Sequence, residues 1–235
     1  MQRICKRFLS TTLPNLRKVQ ATNLKGKKKS SQEWIQRQLN DPYVQKADVF
    51  NYRCRSAFKL LEIDERFKIL QPDKEQVIID CGAAPGSWSQ VAKKYSGPNS
   101  TIIAIDKLQL YPIEGVHILG NQDFTTAHAK LQELLDDKKV HVVLSDMAPN
   151  ATGIKSMDGE NIVTLGYSVL KFAVTVSELD ACLLIKLWQC AEAKKLEQDM
   201  CRFYESVKVV KPQASRSDSA EIFLLGRHFK GLSTA

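Results

Sequence analysis

From residue 76 onward, short apolar runs of strand length alternate with helical patterns, and this alternation limits the possible folds more than any other feature. The runs are QVIID (76–80), TIIAID (101–106), VHILG (116–120), VHVVLSD (140–146), ACLLIKLW (181–188), SVKVVKP (206–212) and AEIFLLGRHF (220–229). Helices are predicted near 87–95, 125–136, 161–178 and 191–206. Alternating strands and helices predict a mostly parallel sheet with helices on both faces. Because the last two strands lack a helix between them, one is expected to run antiparallel.

Two helices are predicted ahead of this alternation. SSQEWIQRQLNDPY reads as a short helix that Pro42 stops. RSAFKLLEIDERFKIL (55–70) reads as an amphipathic helix. Its expected buried side is formed by Phe58, Leu61, Ile63 and Phe67.

The chain has 235 residues, which is room for one sizeable domain, and its net charge of +8 is concentrated at the front. Residues 1–32 carry nine Lys or Arg and no acid, whereas the rest holds 25 bases and 26 acids. The body is therefore near neutral, and its charge alone does not argue for a nucleic-acid partner.

The first 24 residues have the composition of a mitochondrial transit peptide, because they are basic, free of acids and rich in hydroxyl groups. The alternative is a basic arm that stays attached and contacts RNA. We therefore predict a transit peptide over about 1–24, a basic extension with a helix over 25–50, and a main domain over 51–232. This assigns the protein to the mitochondrial matrix.

No apolar run is long enough to predict a membrane span. The six cysteines form no CxxC motif and no Cys/His pair with zinc spacing, which indicates reduced, mostly structural thiols and no metal site.

The turn after the first strand, DCGAAPGSW (80–88), indicates a ligand site. Gly82 and Gly86 permit a tight bend and a close approach of the backbone to a ligand. The N–H groups at the start of the helix that follows can donate hydrogen bonds to an anionic group. The spacing matches neither GxGxxG nor a P-loop.

Acids lie at or just past four strand ends: Asp80, Asp106, Asp123 and Asp146. Such acids often cap helices, but four at this edge of a parallel sheet favour a nucleoside site, with Asp106 suited to a ribose diol.

Lys186 interrupts the apolar run 181–188 near its carboxyl end. A buried ammonium is costly to desolvate, so we expect Lys186 to face the same crevice as Asp146. Lys59 from the second helix and Glu221 from the last strand could join them and balance the charge. The alternative is a structural ion-pair cluster, although buried ion pairs stabilise a fold only weakly. Burial and a neighbouring cation favour a neutral amine, which makes Lys186 a candidate general base for a ribose hydroxyl.

Five segments together resemble the FtsJ/RrmJ family of S-adenosylmethionine-dependent RNA ribose 2′-O-methyltransferases. They are YRCRSAFKLLEID (52–64), DCGAAPGSWSQVA (80–92), LSDMAPN (144–150), LLIKLWQ (183–189) and SAEIFLLG (219–226). The resemblance covers about residues 40–230. It implies an α/β, Rossmann-like methyltransferase fold with a mostly parallel seven-stranded sheet, helices on both faces and one antiparallel edge strand.

The resemblance also implies roles for individual residues. The family's catalytic Lys-Asp-Lys-Glu tetrad maps onto Lys59, Asp146, Lys186 and Glu221, and Lys186 takes the position of the proton acceptor. Contacts to S-adenosylmethionine map onto Gly82, Pro85, Gly86, Ser87, Trp88, Asp106, Asp123 and Asp146. No metal is required, because the sulfonium already activates the methyl group.

The basic stretch that leads into the second helix is the expected RNA contact. Arg53, Arg55 and Lys46 would bind phosphates, and Tyr43 and Tyr52 would be available for stacking. The alternative is a solvated helical surface. Together with the leader, the resemblance implies that the partner is mitochondrial large-subunit ribosomal RNA, with a uridine as the target, or the assembling large subunit. We expect a monomer.

Two other functions fit parts of the sequence. A methyltransferase acting on base nitrogen would carry an Asn/Asp-Pro-Pro-aromatic loop after the fourth strand, but DMAPN lacks the aromatic residue. A catalytically idle assembly factor that binds ribosomal RNA has no need of an intact tetrad.

Overall fold

The computed structural model describes residues 19–22 and 24–232, so the predicted leader falls mainly outside the described part of the chain. The helices are α1 (Lys29–Leu39), α2 (Pro42–Val49), α3 (Ala57–Phe67), α4 (Ser87–Tyr95), α5 (His128–Leu135), α6 (Lys155–Val176) and α7 (Ala191–Phe203). The strands are β1 (Val77–Cys81), β2 (Thr101–Asp106), β3 (His117–Gly120), β4 (Val140–Ser145), β5 (Ser177–Trp188), β6 (Tyr204–Val210) and β7 (Glu221–Phe229). None of the described helices is both long and apolar enough to cross a bilayer.

The seven strands form one sheet in the order β3-β2-β1-β4-β5-β7-β6. Strands β1 to β5 pair in parallel, and β7 runs antiparallel to both of its neighbours, β5 and β6. The predicted mostly parallel seven-stranded sheet is thus confirmed, and its antiparallel strand lies one position inside the edge. The strand order reverses between β1 and β4, and open sheets bind ligands beside the carboxyl ends of strands at such a point.

Alternate residues of the central strands face opposite sides of the sheet. In β1, Ile78 belongs to a core with α3 and α4, whereas Val77 and Ile79 belong to a core with α6 and α7. The four positions predicted as the buried side of α3 are all at most 8% exposed: Phe58, Leu61, Ile63 and Phe67. Helix α3 is therefore fixed against the sheet, and its first turn lies over the carboxyl ends of the strands.

The segment ahead of α3 contains two helices where the sequence predicted one. Helix α1 ends at Leu39, and Pro42 begins α2 instead of only stopping α1. Proline suits the first helical position, because the N–H it lacks would have no partner within the helix. Oδ1 of Asp41 accepts a hydrogen bond from the Tyr43 N–H at 2.9 Å and so caps α2.

Candidate active site

Two lysines and two carboxylates that are distant in sequence meet at the carboxyl end of the parallel strands. Nζ of Lys59 lies 2.7 Å from Oε2 of Glu221 and 3.5 Å from Oδ1 of Asp146. Nζ of Lys186 lies 3.0 Å from the same Asp146 oxygen and also donates to the Asp146 carbonyl. The four side chains are between 10% and 17% exposed. The structure thus brings together the four residues grouped by the sequence, and we name them the charge cluster.

The direction of β7 is what completes the charge cluster. Lys59 comes from α3, Asp146 follows β4, and Lys186 lies near the end of β5. In the antiparallel ladder, Trp188 near the end of β5 pairs with Glu221 at the start of β7. Had β7 run parallel to β5, its first residue would lie at the amino ends of the parallel strands, away from the lysines. The antiparallel strand therefore carries a carboxylate to the lysines.

Two serine hydroxyls hold the remaining carboxylate oxygens of the charge cluster. Oγ of Ser56 donates to Oδ2 of Asp146, and Oγ of Ser215 donates to Oε1 of Glu221 at 2.7 Å. Each carboxylate therefore has one oxygen toward lysine and the other bound to a hydroxyl, which fixes its orientation. Neither serine was predicted from the sequence. Ser56 could have been found, because it lies one helical turn before Lys59.

An aromatic pair lies beneath Lys59. Its Nζ is 5.8 Å from the centroid of the Phe223 ring, which is 5.7 Å from the Trp88 ring. The indole N–H of Trp88 donates to the Ser56 carbonyl at 2.9 Å, and Trp88 is only 2% exposed. The Trp88 ring is therefore part of the core, and the cofactor contact expected at Trp88 stays a prediction. A ligand contact from this residue is left to its backbone amide.

That amide belongs to the first turn of α4, whose N-cap residue, Gly86, has no side chain that could accept it. The N–H groups of Ser87 and Trp88 have no acceptor within the helix, because the first turn of any helix leaves its donors unpaired. The helix begins directly after Gly86. These donors can therefore serve an anionic group that lies against the glycine turn.

A cavity of about 710 Å³ adjoins the charge cluster. Among its lining residues are Gly82, Ala84, Asp106, Asp146, Met147 and Asn161. This volume lies within the range of roughly 300–1,000 Å³ that is usual for small-ligand sites. Asp146 belongs to both the cavity and the charge cluster, so a ligand in the cavity would lie beside the two lysines. Of the predicted PGSW stretch (85–88), no residue lines the cavity itself.

Both glycines of the turn are required by their surroundings. Gly82 has a φ of +71°, and a Cβ there would lie 1.8 Å from Cγ of Met147. Gly86 has a φ of +112°, and a Cβ there would lie 2.6 Å from Cδ1 of Ile113. Any side chain at either position would therefore strain the backbone and displace the loops that border the cavity.

Arg53 braces the glycine turn from outside. Its Nη1 donates to the carbonyls of Pro85 at 2.8 Å and Tyr111 at 2.9 Å, and its Nη2 donates to the carbonyl of Pro112 at 2.6 Å. The guanidinium thereby ties the turn to the loop after β2. Arg53 was predicted to contact RNA, but these three protein acceptors argue for a structural role.

Arg55 is also engaged within the protein. Its Nη1 lies 3.1 Å from Oδ2 of Asp41, and its Nη2 donates to the Ala214 carbonyl. The Arg55 side chain is only 17% exposed. A guanidinium so bound is not available for phosphates, so the predicted RNA contact is not supported. Instead, Arg55 links the start of α3 to the loop that carries Ser215.

The tyrosines expected to stack on RNA face inward as well. Tyr52 is 7% exposed and packs on Phe58 with ring centroids 5.8 Å apart. Tyr43 packs on the same phenylalanine at 5.5 Å, and its hydroxyl donates to Glu62 at 2.9 Å. Nζ of Lys46 lies 5.5 Å from the Tyr43 ring. Of the predicted RNA contacts, only Lys46 keeps that role as an open prediction.

Asp106 ends β2 and lines the cavity. Its Oδ2 accepts the Ala84 N–H at 2.8 Å, and its Oδ1 accepts the Leu108 N–H at 2.7 Å. Two backbone donors hold the carboxylate in place. Because a carboxylate offers about four lone-pair sites, Asp106 can still accept hydrogen bonds from a ligand.

Asp123 lies beside the cavity without lining it, since its chain neighbours Gln122 and Phe124 are the lining residues. Its Oδ1 accepts the Thr125 N–H at 2.9 Å, and its Oδ2 lies 3.0 Å from Nζ of Lys107. Partial burial acts to raise the pKa of Asp123, but these partners outweigh it and hold the pKa below its usual value. Asp123 is therefore an ionised group at the rim.

Asp80 is fully buried at the end of β1, where it accepts a hydrogen bond from Ser89 Oγ at 2.6 Å. Burial raises the pKa of Asp80 to about 7, although the Ser89 hydrogen bond opposes this and the Asp146 charge adds to it. Asp80 thus supports the turn from below. Within residues 19–22 and 24–232, no group of histidine, cysteine, aspartate or glutamate side chains is arranged to hold a metal ion.

The chain matches the FtsJ-like methyltransferase family over residues 52–229. It is 52% identical to "rRNA methyltransferase 2, mitochondrial" of Drosophila melanogaster, over 97% of this chain and 95% of that protein. "Ribosomal RNA large subunit methyltransferase E" of Azoarcus sp. is 41% identical over 84% of this chain and 96% of its own length. A crystal structure from Plasmodium falciparum, described as a ribosomal RNA methyltransferase, gives a TM-score of 0.68 at 30% identity, over 77% of this chain and 100% of that one. The chain therefore belongs to the FtsJ-like methyltransferase family.

Proposed function

We propose that this chain transfers a methyl group from S-adenosylmethionine to a ribose 2′-oxygen of ribosomal RNA. The observation that carries the proposal is the charge cluster, which borders the cavity through Asp146. Membership of the FtsJ-like methyltransferase family supports methyl transfer, and the names of both relatives support ribosomal RNA as the substrate.

The residues around the cavity fit S-adenosylmethionine. Asp106 suits the ribose diol, and the first-turn amides of Ser87 and Trp88 suit the carboxylate. Gly82 and Gly86 let the backbone approach the ligand, while Pro85 and Asp123 flank this part of the site. When bound, S-adenosylmethionine would supply a methyl group that its positively charged sulfur has already activated.

Lys186 is the proton acceptor in this proposal. It orients the ribose 2′-hydroxyl and takes its proton at Nζ as the oxygen becomes a nucleophile. Asp146 holds Lys186 through both its carboxylate and its carbonyl. The Lys186 nitrogen is thus held in position before substrate arrives, and such positioning supplies a large part of the rate.

Lys59 and Glu221 complete the network from the other side. Lys59 bridges the two carboxylates, so it balances the charge that Asp146 would otherwise impose on Lys186. Glu221 in turn holds Lys59 at 2.7 Å. This chain of contacts couples the geometry of all four residues, so we expect substitution of any one to disturb the others.

The proposed target is a uridine of the mitochondrial large-subunit RNA, in free RNA or in an assembling subunit within the matrix. The basic leader and the mitochondrial relative support this location, and the large-subunit relative supports the class of RNA. A transit peptide over about 1–24, an extension over 25–50, a catalytic domain over 51–232 and a monomeric state remain predictions.

The test is methyl transfer from tritiated S-adenosylmethionine to large-subunit ribosomal RNA, followed by nucleoside analysis of the product. We expect the label in a 2′-O-methyl nucleoside and its loss in Lys186→Ala. Label on a base with unmodified ribose would contradict the reaction. An absence of label, with RNA binding intact, would favour an assembly factor without catalysis.

A further inference from the structure

We propose that residues 24–40, which comprise α1 and the lysines before it, form the surface that captures ribosomal RNA, with an unpaired base stacked on Trp34. We name this segment the α1 surface. The inference rests on the proposed function and assigns the substrate contact that Arg53 and Arg55 do not supply, because their guanidinium groups bind protein acceptors.

The charge of the α1 surface suits a polyanion. Its basic residues are Lys25, Lys27, Lys28, Lys29 and Arg37, all exposed, and Glu33 is the one acid in this segment. Residues 33–235 hold 25 bases and 26 acids, so the main domain attracts RNA only weakly. The lysines also stand at the amino end of α1, where positive charge opposes the helix dipole. They therefore do not stabilise the helix, and a bound phosphate would offset their cost.

Trp34 supplies a stacking platform within this charge. It is 53% exposed, although tryptophan is among the side chains that gain most from burial. It lines a groove of about 440 Å³ together with Lys27, Ser30, Ser31 and Ile35. A base can stack on the indole while the lysine and the serine hydroxyls bind the backbone beside it, as in single-strand binding proteins.

The α1 surface leads toward the charge cluster. Arg37 lies one helical turn beyond Trp34 on the same face of α1, and its Nη1 is 3.9 Å from Oδ2 of Asp218. Asp218 lies in the loop that carries Ser215 and ends at Glu221. An RNA strand bound along α1 would thus be directed to the edge of the sheet where the lysines lie.

The pattern favours RNA over a protein partner. None of the α1 residues is buried, and the exposed aromatic ring shares its groove with Lys27, two serines and a single other apolar residue, Ile35. Interfaces between proteins are depleted of lysine at their centres, whereas RNA sites combine lysine with exposed aromatic rings.

The experiment measures binding of the full-length chain to a labelled single-stranded large-subunit rRNA oligonucleotide. Trp34→Leu keeps an apolar side chain without a large ring, and Trp34→Phe restores a ring. We expect Trp34→Leu to weaken binding about tenfold and Trp34→Phe to recover most of it. A purely structural role for Trp34 would not distinguish phenylalanine from leucine in this way.

A second variant combines Lys25→Gln, Lys27→Gln, Lys28→Gln and Lys29→Gln. Its matched control makes the same change at four exposed lysines near the opposite edge of the sheet, namely Lys74, Lys138, Lys139 and Lys171. We expect the first variant to lower the slope of log affinity against log salt by up to about 3, since each phosphate contact contributes roughly 0.7. The control keeps the wild-type slope.

Three results would overturn the proposal. The first is an RNA affinity within about twofold of wild type for both Trp34→Leu and the lysine variant. The second is a loss of RNA affinity in the matched control equal to that in the lysine variant. The third is unchanged affinity of the variants for the RNA oligonucleotide together with lost binding to a subunit particle that carries ribosomal proteins. The proposed function fails separately, when wild type binds RNA but forms no 2′-O-methyl nucleoside. Unchanged S-adenosylhomocysteine affinity in all the variants verifies that the cavity remains folded.

Discussion

The charge cluster and the α1 surface use the same kind of residue in opposite ways. In the charge cluster, Lys59 and Lys186 are at most 12% exposed, and each is paired with a carboxylate. On the α1 surface, Lys25 and Lys27 to Lys29 are exposed, and no residue of α1 is buried. Chemistry on one hydroxyl needs an amine with a fixed position and little water around it. Capture of a long polyanion needs exposed charge that acts over distance.

The comparison teaches that a lysine's surroundings indicate its role better than its charge does. An unpaired surface ammonium gains little from one geometry, because water and salt screen it. Lys186, by contrast, is held by two acceptors, so its amine is restricted to one position. Substitutions in the charge cluster should therefore change the rate of methyl transfer, and substitutions on the α1 surface should change RNA affinity.

The largest expected effect is on Lys186. Lys186→Ala should lower the rate at saturating RNA by about 10²–10⁴-fold, the usual contribution of a general base, while RNA affinity stays unchanged. Lys186→Arg keeps the charge, but a guanidinium does not lose its proton in proteins, so it should be equally inactive. Single-turnover methylation measures the rate. Substantial activity in Lys186→Arg would mean that Lys186 acts through its charge alone.

Although Arg53 is charged, we expect its substitution to affect the cofactor site and not RNA binding. Arg53→Ala removes the three hydrogen bonds that hold the glycine turn, so we expect S-adenosylhomocysteine affinity to fall by about tenfold, since each net hydrogen bond contributes roughly 1 kcal/mol or less. Isothermal titration calorimetry measures this. RNA affinity should remain at the wild-type value. Weaker RNA binding with normal cofactor affinity would return Arg53 to the RNA surface and erase the distinction between the two regions.

A smaller effect is expected at Ser215. Ser215→Ala leaves Oε1 of Glu221 without its hydroxyl donor, so the carboxylate can rotate away from Lys59. We expect the rate to fall by about fivefold with no change in KM for RNA, and Ser215→Thr to restore most of it, because the net contribution of one hydrogen bond is about 1 kcal/mol, which corresponds to a factor of about five. Equal loss in both variants would indicate a packing role instead.

The last prediction concerns stability and not activity. The pKa of Asp80 is about 7 in the folded chain against an ordinary value of 3.8. Between these values the folded state keeps a proton that the unfolded state has released, so this group lowers the free energy of unfolding as pH rises from about 4 to 7. Asp80→Asn should remove that slope in urea unfolding, whereas Asp73→Asn on an exposed loop should keep it. The same pH dependence of the free energy of unfolding in wild type, Asp80→Asn and Asp73→Asn would contradict the assignment.

Much of the fold follows from the local sequence pattern. Strand β2 lies where TIIAID predicts it, and α4 occupies the predicted 87–95. The boundaries differ where tertiary pairing extends an element: β5 begins at Ser177, four residues before the predicted start, because Ser177 pairs with Val140 of β4. Helix α6 begins at Lys155 instead of 161, since its exposed first turns carry no apolar period that a sequence could reveal.

The sequence by itself determined the alternating α/β architecture, the glycine turn, and the identity of Lys59, Asp146, Lys186 and Glu221 as one group. These are signals of local pattern and motif, which survive without coordinates. Only the tertiary structure decided that β7 carries Glu221 to the lysines in an antiparallel ladder.

Tertiary structure also decided what the long side chains bind. Arg53 and Arg55 reach carbonyls of distant loops, and the indole of Trp88 turns into the core. A flexible guanidinium binds whichever acceptor the fold brings within reach, and that acceptor is set by chain topology. The hydrophobic periodicity of the sequence therefore identifies which residues can be buried. The partners of a charged side chain are fixed only when the chain has folded.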